Sequence, residues 1–554
     1  MPSFNRRGFL ASAATSATAA AVVSAGAAPG KARADTDPDK PNILVIMVDE
    51  MRAPMWFPDQ ATLDSVLPNM ARIRNGGVSF ENHYTAANDC TASRGCMLTG
   101  LYAHQTGVMV VSGSTLSPKF PTWGSMLREQ GYDTNWWGKW HIGNYPDKTP
   151  GSLEAYGFYG GTYPSPNGAP GQGLQADPKI ADQFVDWFHN DSGNAPWCTT
   201  VSLVNPHDIQ FWPRWTRRDQ FNMDIPQWMN GMPPNFETLE QLAEKPRLQM
   251  ALYEVSQVAF GLAPAGTPEA AQAWAEVRNL YLWLQQQVDI QIGRVLDTLY
   301  SRPDVAANTV IIFTADHGDY AGSHGLHGKG GGAYDEAIRV PLYVHDPRGY
   351  LSPVEGTSIR NQLTSSIDLT PLLLTIATGG NGWRSDGRYE HLSGRYDLTE
   401  LCRNSGAAGR PWIAHTTDEA TIEEAAILFN QNAPGHVAMV RTAEAKFASY
   451  SHWVEGQVRV DSAQQQEFEL YDYSTDEGRL ELDNQAATGN PLRGKMEPLL
   501  ENAIRNEIQQ PLPAYLKAAQ EEGIGDYIAS QTNILAQAER VGHLIEEIFI
   551  PKPS

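Results

Sequence analysis

The strongest periodic signal in the chain is a set of apolar runs that each end in a residue able to hold a ligand. Pro41-Asn42-Ile43-Leu44-Val45-Ile46-Met47-Val48-Asp49 is apolar at odd and even positions alike and stops at an acid. Asn308-Thr309-Val310-Ile311-Ile312-Phe313-Thr314-Ala315-Asp316 repeats the design. Trp197 to Val204 is a third run, followed by Asn205-Pro206-His207, and Val340 to Val344 is a fourth. A strand that is apolar on both faces is covered on both faces, as in a parallel sheet between helices. Val277 to Leu299 carries apolar residues near the helical period and predicts one such helix. Acids and a histidine at the carboxyl ends of strands suit an open α/β sheet, where ligand sites form.

The pattern changes twice along the chain. Phe211 to Ala275 is less regular and rich in Trp, Pro and Met, and reads as an insertion over or beside the site. From His436 to Val460 strand-like segments return, Glu469 to Tyr473 adds another after a polar loop, and helices are expected from Pro491. The predicted fold class is α/β, a large mostly parallel sheet flanked by helices, with a smaller antiparallel C-terminal α+β subdomain. The predicted division is a leader over 1–34, a main domain over 35–425 with the insertion at 211–275, and the subdomain over 426–554.

The leader changes the picture of where the chain works. Asn5-Arg6-Arg7-Gly8-Phe9-Leu10 is a twin-arginine run, an Ala-rich stretch follows, and Ala32-Arg33-Ala34 offers a cleavage site. A membrane anchor is disfavoured, because a spanning helix needs about 20 strongly apolar residues and no segment qualifies. The expected route is the Tat translocase, and the expected location is periplasmic or secreted. Cleavage after Ala34 removes Arg6, Arg7, Lys31 and Arg33 and no acid, taking the formal charge from −22 to −26. That acidity argues against nucleic acid as a partner. Four cysteines in 554 residues do not make a disulfide framework.

Candidate chemistry then gathers around one cysteine. Asn88-Asp89-Cys90-Thr91-Ala92-Ser93-Arg94 precedes Leu98-Thr99-Gly100, so the run reads C-x-A-x-R followed by L-T-G. Further along come Gly138-Lys139-Trp140-His141, Asn205-Pro206-His207-Asp208, Asp316-His317-Gly318-Asp319 and His324-Gly325-Leu326-His327-Gly328-Lys329. A helix beginning just after Cys90 would set Arg94 one turn on and on the same face. Lys139 and His141 would share a face if their segment is extended.

In this order and spacing, from Pro41 to about Asp483, the motifs resemble those of a type I sulfatase of the alkaline phosphatase superfamily. The resemblance implies that Cys90 is oxidised to formylglycine by a formylglycine-generating enzyme, which works on the unfolded chain in the cytoplasm. One hydroxyl of the hydrated aldehyde attacks sulfur and the other later expels sulfate. The resemblance also implies one divalent cation held by Asp49, Glu50, Asp316, His317 and the modified Cys90. Ca²⁺ suits the carboxylates best, and the imidazole also admits Mn²⁺ or Zn²⁺. Arg94 and Lys139 are expected at the formylglycine, and His141 as the base that drives loss of sulfate. His207 and Lys329 are expected on the sulfate oxygens, one of them protonating the leaving group. His324 and His327 receive no role.

Two positions depart from the common family pattern. Asp49-Glu50 stands where many sulfatases have Asp-Asp, and Asp316-His317 where many have Asp-Asn. The His form resembles choline sulfatases and phosphonate monoester hydrolases. The expected substrate is a small sulfate ester, with a phosphonate monoester or phosphate diester as the alternative. An inactive binding relative is disfavoured, because every expected catalytic position holds a competent residue. Trp56, Trp136, Trp137, Trp212 and Trp215 are candidates for a cation–π box around a choline leaving group, although tryptophans near strand ends more often pack in a core, and aryl and sugar sulfates stay equally open.

Overall fold

The structure is a computed structural model. It describes residues 40–549, apart from 56–57, 112–113, 143–148, 194–195, 213–222, 261–267, 354 and 419–432. The leader, Trp56 and Trp215 lie outside the described residues.

The run after Pro41 forms β1 (Asn42–Asp49), every residue of it buried. Its alternate side chains serve two cores. Ile43, Val45 and Met47 pack with Trp123, Trp136 and Leu372, and Leu44, Ile46 and Val48 with Phe184, Leu282 and Val288. Burial on both faces explains the unbroken apolar run. The other strands are β2 (Gly77–Tyr84), β3 (Asp133–Gly138), β4 (Tyr159–Gly160), β5 (Trp197–Pro206), β6 (Thr309–Ala315), β7 (Leu342–His345) and β8 (Ser358–Ser365). They form one eight-stranded sheet in the order β4-β3-β5-β1-β6-β7-β2-β8. All neighbours are parallel except β7, which runs antiparallel to both β6 and β2. The fourth apolar run is thus the one reversed strand of a mostly parallel sheet.

Three helices matter for the site. These are α1 (Cys90–Thr99), α2 (Gln172–Asn190) and α3 (Pro268–Tyr300), the last containing the predicted Val277–Leu299 segment. The stretch expected to be irregular, 211–275, holds a 14-residue helix, Arg247–Phe260, and the start of α3. Its Leu248, Ala251 and Leu252 are buried against Tyr320 and Tyr334, so tertiary packing orders a segment that Pro and Trp made look broken.

A second sheet, β9 (Ile413–Asp418), β10 (His436–Arg441), β11 (Ala445–Ser451) and β12 (Glu467–Asp472), is antiparallel in the order β12-β11-β10-β9. Its first strand precedes residue 426, and Thr36–Ser554 forms one compact unit. Helices Arg493–Ala503 and Ala514–Phe549 follow. Among the described residues no helix is long and apolar enough to cross a membrane. All four cysteines are buried and free.

Candidate active site

The sheet order places three strand ends side by side. β1 lies between β5 and β6, with Val48 opposite Ala315 and Asp49 opposite Pro206. Asp49, Asp316 and His207 therefore emerge at one edge, the carboxyl edge where such sheets build sites. Facing them is α1, in which all ten residues are buried and Asp89 is the N-cap, accepting from the Thr91 N–H. Cys90 is its first residue.

Arg94 organises the carboxylates. Its Nη2 lies 2.9 Å from Asp49 Oδ2 and its Nε 2.8 Å from Asp316 Oδ2. Its Nη1 donates to Lys139 O and to Ser202 Oγ. The side chain is fully buried, and its hydrogen bonds go to these four groups rather than to Cys90. Lys139 Nζ sits 2.6 Å from Asp49 Oδ2 and 3.9 Å from Cys90 Sγ. Burial opposes the charge on Asp49, but Lys139, His207 and Arg94 outweigh it and hold the carboxyl well below its ordinary range.

The inner donor set is compact. One ligand atom each from Asp49, Cys90, Asp316 and His317 lies within 4.8 Å of the others. His317 Nε2 is 3.0 Å from Cys90 Sγ, 3.7 Å from Asp49 Oδ1 and 3.8 Å from Asp316 Oδ1. His317 Nδ1 meets Gly318 O at 3.0 Å, which makes Nδ1 the protonated nitrogen and leaves the Nε2 lone pair facing the acids. Two carboxylates and an oriented imidazole fit a divalent cation. Glu50 falls in a second group with Asp49 and His207. Its carboxyl has Asp319 within hydrogen-bond reach, and its Oε2 lies 2.9 Å from Lys329 Nζ and 3.5 Å from His207 Nε2. Burial opposes the charge on Lys329, yet Cys90, Glu50 and Asp49 raise its pKa well above the ordinary value.

Burial pushes the Cys90 thiol up, and the charge of Asp49 adds to this. An unmodified Cys90 is therefore no thiolate nucleophile at neutral pH.

The Lys139–His141 segment departs from expectation. β3 stops at Gly138, and both Gly138 (φ 101°) and His141 (φ 56°) are left-handed, so the two side chains do not share the face of an extended strand. The cause is local capture. The Thr91 hydroxyl donates to His141 O at 2.8 Å, the Ser165 hydroxyl accepts from Trp140 N, and Gly138 lies so close to Ser202 O that a Cβ would fall 1.9 Å from it. His141 Nδ1 is buried and makes no hydrogen bond. Burial, then Lys139 and Arg94, hold its pKa well below the ordinary value.

The three described tryptophans of the candidate aromatic box take the core-packing alternative. Trp136 is fully buried in the core with Trp123, Trp140 and Phe158, and Trp137 packs against Trp187 and Gly160. Trp212 packs with Ile209 and Trp274. Trp136 and Trp137 flank the site in sequence but face the sheet's two cores.

Some contributors carried no signal in the sequence. Tyr281 on α3 donates to Glu50 O at 2.5 Å and accepts from Arg52 N at 3.0 Å, holding Glu50 at φ 66°. Ser202, inside β5, bridges Arg94 and Lys139 O. His324 is clamped between Glu237 and Glu336, and His327 Nε2 meets Ile209 O, so both fasten the loop that carries Lys329.

Comparison with known proteins agrees with this geometry. A family model described as Sulfatase matches residues 41–379. YidJ, an uncharacterized sulfatase of Escherichia coli, is 27% identical over 370 residues, 61% of this chain and 68% of that one. In fold, the 2-O GAG sulfatase BT1596 superposes with a TM-score of 0.62 at 20% identity, covering 86% of this chain and 97% of the other. A phosphonate monoester hydrolase of Agrobacterium radiobacter gives 0.61 at 21% identity, over 83% and 95%. The family match spans the strand ends, α1 and the Lys329 loop alike, and the chain belongs to the sulfatases, as a type I sulfuric ester hydrolase of the alkaline phosphatase superfamily.

Proposed function

We propose that this chain hydrolyses a small sulfate ester to an alcohol or phenol and inorganic sulfate, with formylglycine made from Cys90 as nucleophile. The observation that carries the reading is the position of Cys90, first residue of a buried helix, 3.0 Å from His317 and 3.9 Å from Lys139. The hydrated aldehyde would supply an attacking hydroxyl and a second hydroxyl that expels sulfate, and a divalent cation, when bound, would polarise the ester. Asp49, Glu50, Asp316, His317 and residue 90 hold that cation in this reading, Ca²⁺ first, with Mn²⁺ or Zn²⁺ as alternatives.

The remaining roles fall to the chain's own side chains. Arg94 locks Asp49 and Asp316 in place and adds positive field. Lys139 faces the nucleophile and the sulfate charge. His141, its pKa held low, takes the proton from the second hydroxyl. His207 and Lys329 bind the ester from the leaving-group side, and one of them protonates the departing oxygen. The twin-arginine leader supports export of the finished enzyme.

Protein from a host that makes formylglycine is digested and the Cys90 peptide weighed. A loss of about 18 Da relative to the thiol supports the nucleophile, and an intact thiol in active protein overturns it. Asp316-His317 and the fold likeness to a phosphonate monoester hydrolase favour one second reading, hydrolysis of phosphonate monoesters. Relative kcat/KM on paired sulfate and phosphonate esters decides between the two.

A further inference from the structure

β5 ends at Pro206, and His207 opens a short 3-10 turn, His207–Phe211. Two buried carboxylates grip the chain on either side of this histidine. Asp177, on α2, accepts from Val204 N at 2.6 Å and from Asn205 N at 3.0 Å. Asp208 accepts from Gly173 N at 3.1 Å and Leu174 N at 3.0 Å, in the first turn of α2. Asn205 Oδ1 accepts from Asp208 N at 3.3 Å and closes the loop. The grip is reciprocal, because the helix gives a carboxylate to the strand end and the strand end gives one to the helix's free N–H groups. The imidazole itself has little room, since a Cβ on Gly168 would fall 2.6 Å from His207 Cε1.

Both aspartates are almost fully buried, and burying a carboxylate is costly unless the arrangement gains something from it. A plain helix cap needs one acceptor at the helix start. Here a second carboxylate, five residues into the same helix, holds the other side of His207.

We propose that Asp177 and Asp208 are positioning residues that fix the His207 imidazole for its part in the reaction. They act through the backbone of residues 204–208. The inference rests on the reading of His207 as a site residue.

The test is a double-mutant cycle in enzyme from a formylglycine-competent host, with kcat/KM for 4-nitrophenyl sulfate and the Tm as readouts. Asp177→Asn and Asp208→Asn, each near-isosteric, are made singly in the parent and in His207→Ala. Each is expected to lower kcat/KM roughly 10- to 100-fold in the parent and under about 2-fold when His207 is already Ala. Equal losses in both backgrounds, or no loss in the parent, overturn the proposal. If neither aspartate variant folds, the carboxylates are structural and the proposal also falls. A silent His207→Ala overturns the reading of His207 itself, and is seen without reference to either aspartate.

Discussion

The Lys329 ammonium lies 2.9 Å from Glu50 Oε2, and His207 Nε2 approaches the same oxygen at 3.5 Å. Glu50 has one methylene more than the aspartate common at this position. That length lets one oxygen meet Lys329 while the carboxyl stays within reach of Asp319. Glu50→Gln is expected to weaken cation affinity by at least about tenfold, the usual cost of altering a ligand or its support. Metal titration followed by atomic emission checks this. A kcat/KM loss with unchanged metal content would assign Glu50 to Lys329 alone.

Cys90→Ala should remove turnover by at least about 10³-fold, since the nucleophile has no substitute nearby. The fold should remain, because the change deletes one small buried atom. Asp316→Ala is different in kind. It strands a fully buried Arg94 with one carboxylate instead of two, a loss of about 3–5 kcal/mol for broken buried pairs. Urea denaturation should separate the two variants clearly.

His324 meets Glu237 at 2.7 Å and Glu336 at 3.5 Å. Burial alone would lower its pKa, but the two acids raise it to about 9. A histidine raised in this way stabilises the fold fully below its ordinary value of 6.5 and loses that contribution as pH climbs through 9. The expected size is on the order of 3 kcal/mol. Urea midpoints between about pH 6 and about pH 10 should fall in the parent and fall less in His324→Gln.

Chelation should lower the Tm as well as the rate. Without a cation, Asp49 Oδ1 and Asp316 Oδ1 converge on His317 Nε2 at 3.7 and 3.8 Å with Cys90 Sγ beside them, two carboxylates in one small buried space. A cation at a hundred times its Kd adds about 2.7 kcal/mol to stability. Calorimetry with chelator, and again after adding Ca²⁺, reads this directly, and an unmoved Tm would count against a resident cation.

The central strands were legible because they are covered on both faces, which leaves no polar position to blur the run. Their pairing then brings Asp49 beside Asp316, since Val48 faces Ala315 in the parallel register. The helix at Cys90 was a condition in the sequence reading, and its Asp89 cap comes from the structure, with Arg94 following at one turn. What was hidden depends on distant chain. The left-handed turn at His141 is imposed by a hydroxyl fifty residues earlier, and Tyr281 reaches Glu50 from a helix whose sequence shows only an apolar stripe. For the tryptophans the sequence left core packing and a cation–π box both open, because proximity to a strand end says nothing about which side of the sheet a ring enters.

If Cys90 is the formylglycine precursor, as proposed, its 1% exposure sets a limit on how the enzyme acquires activity. A maturation catalyst has no path to a side chain enclosed by α1 and the strand ends. Under the proposed formylglycine reading, whatever fraction of chains is converted before folding stays fixed for the life of the batch. Specific activity then becomes a census of finished molecules rather than a measure of site quality. Two preparations with identical melting curves can differ severalfold in rate, and titrating the aldehyde should bring them onto one line.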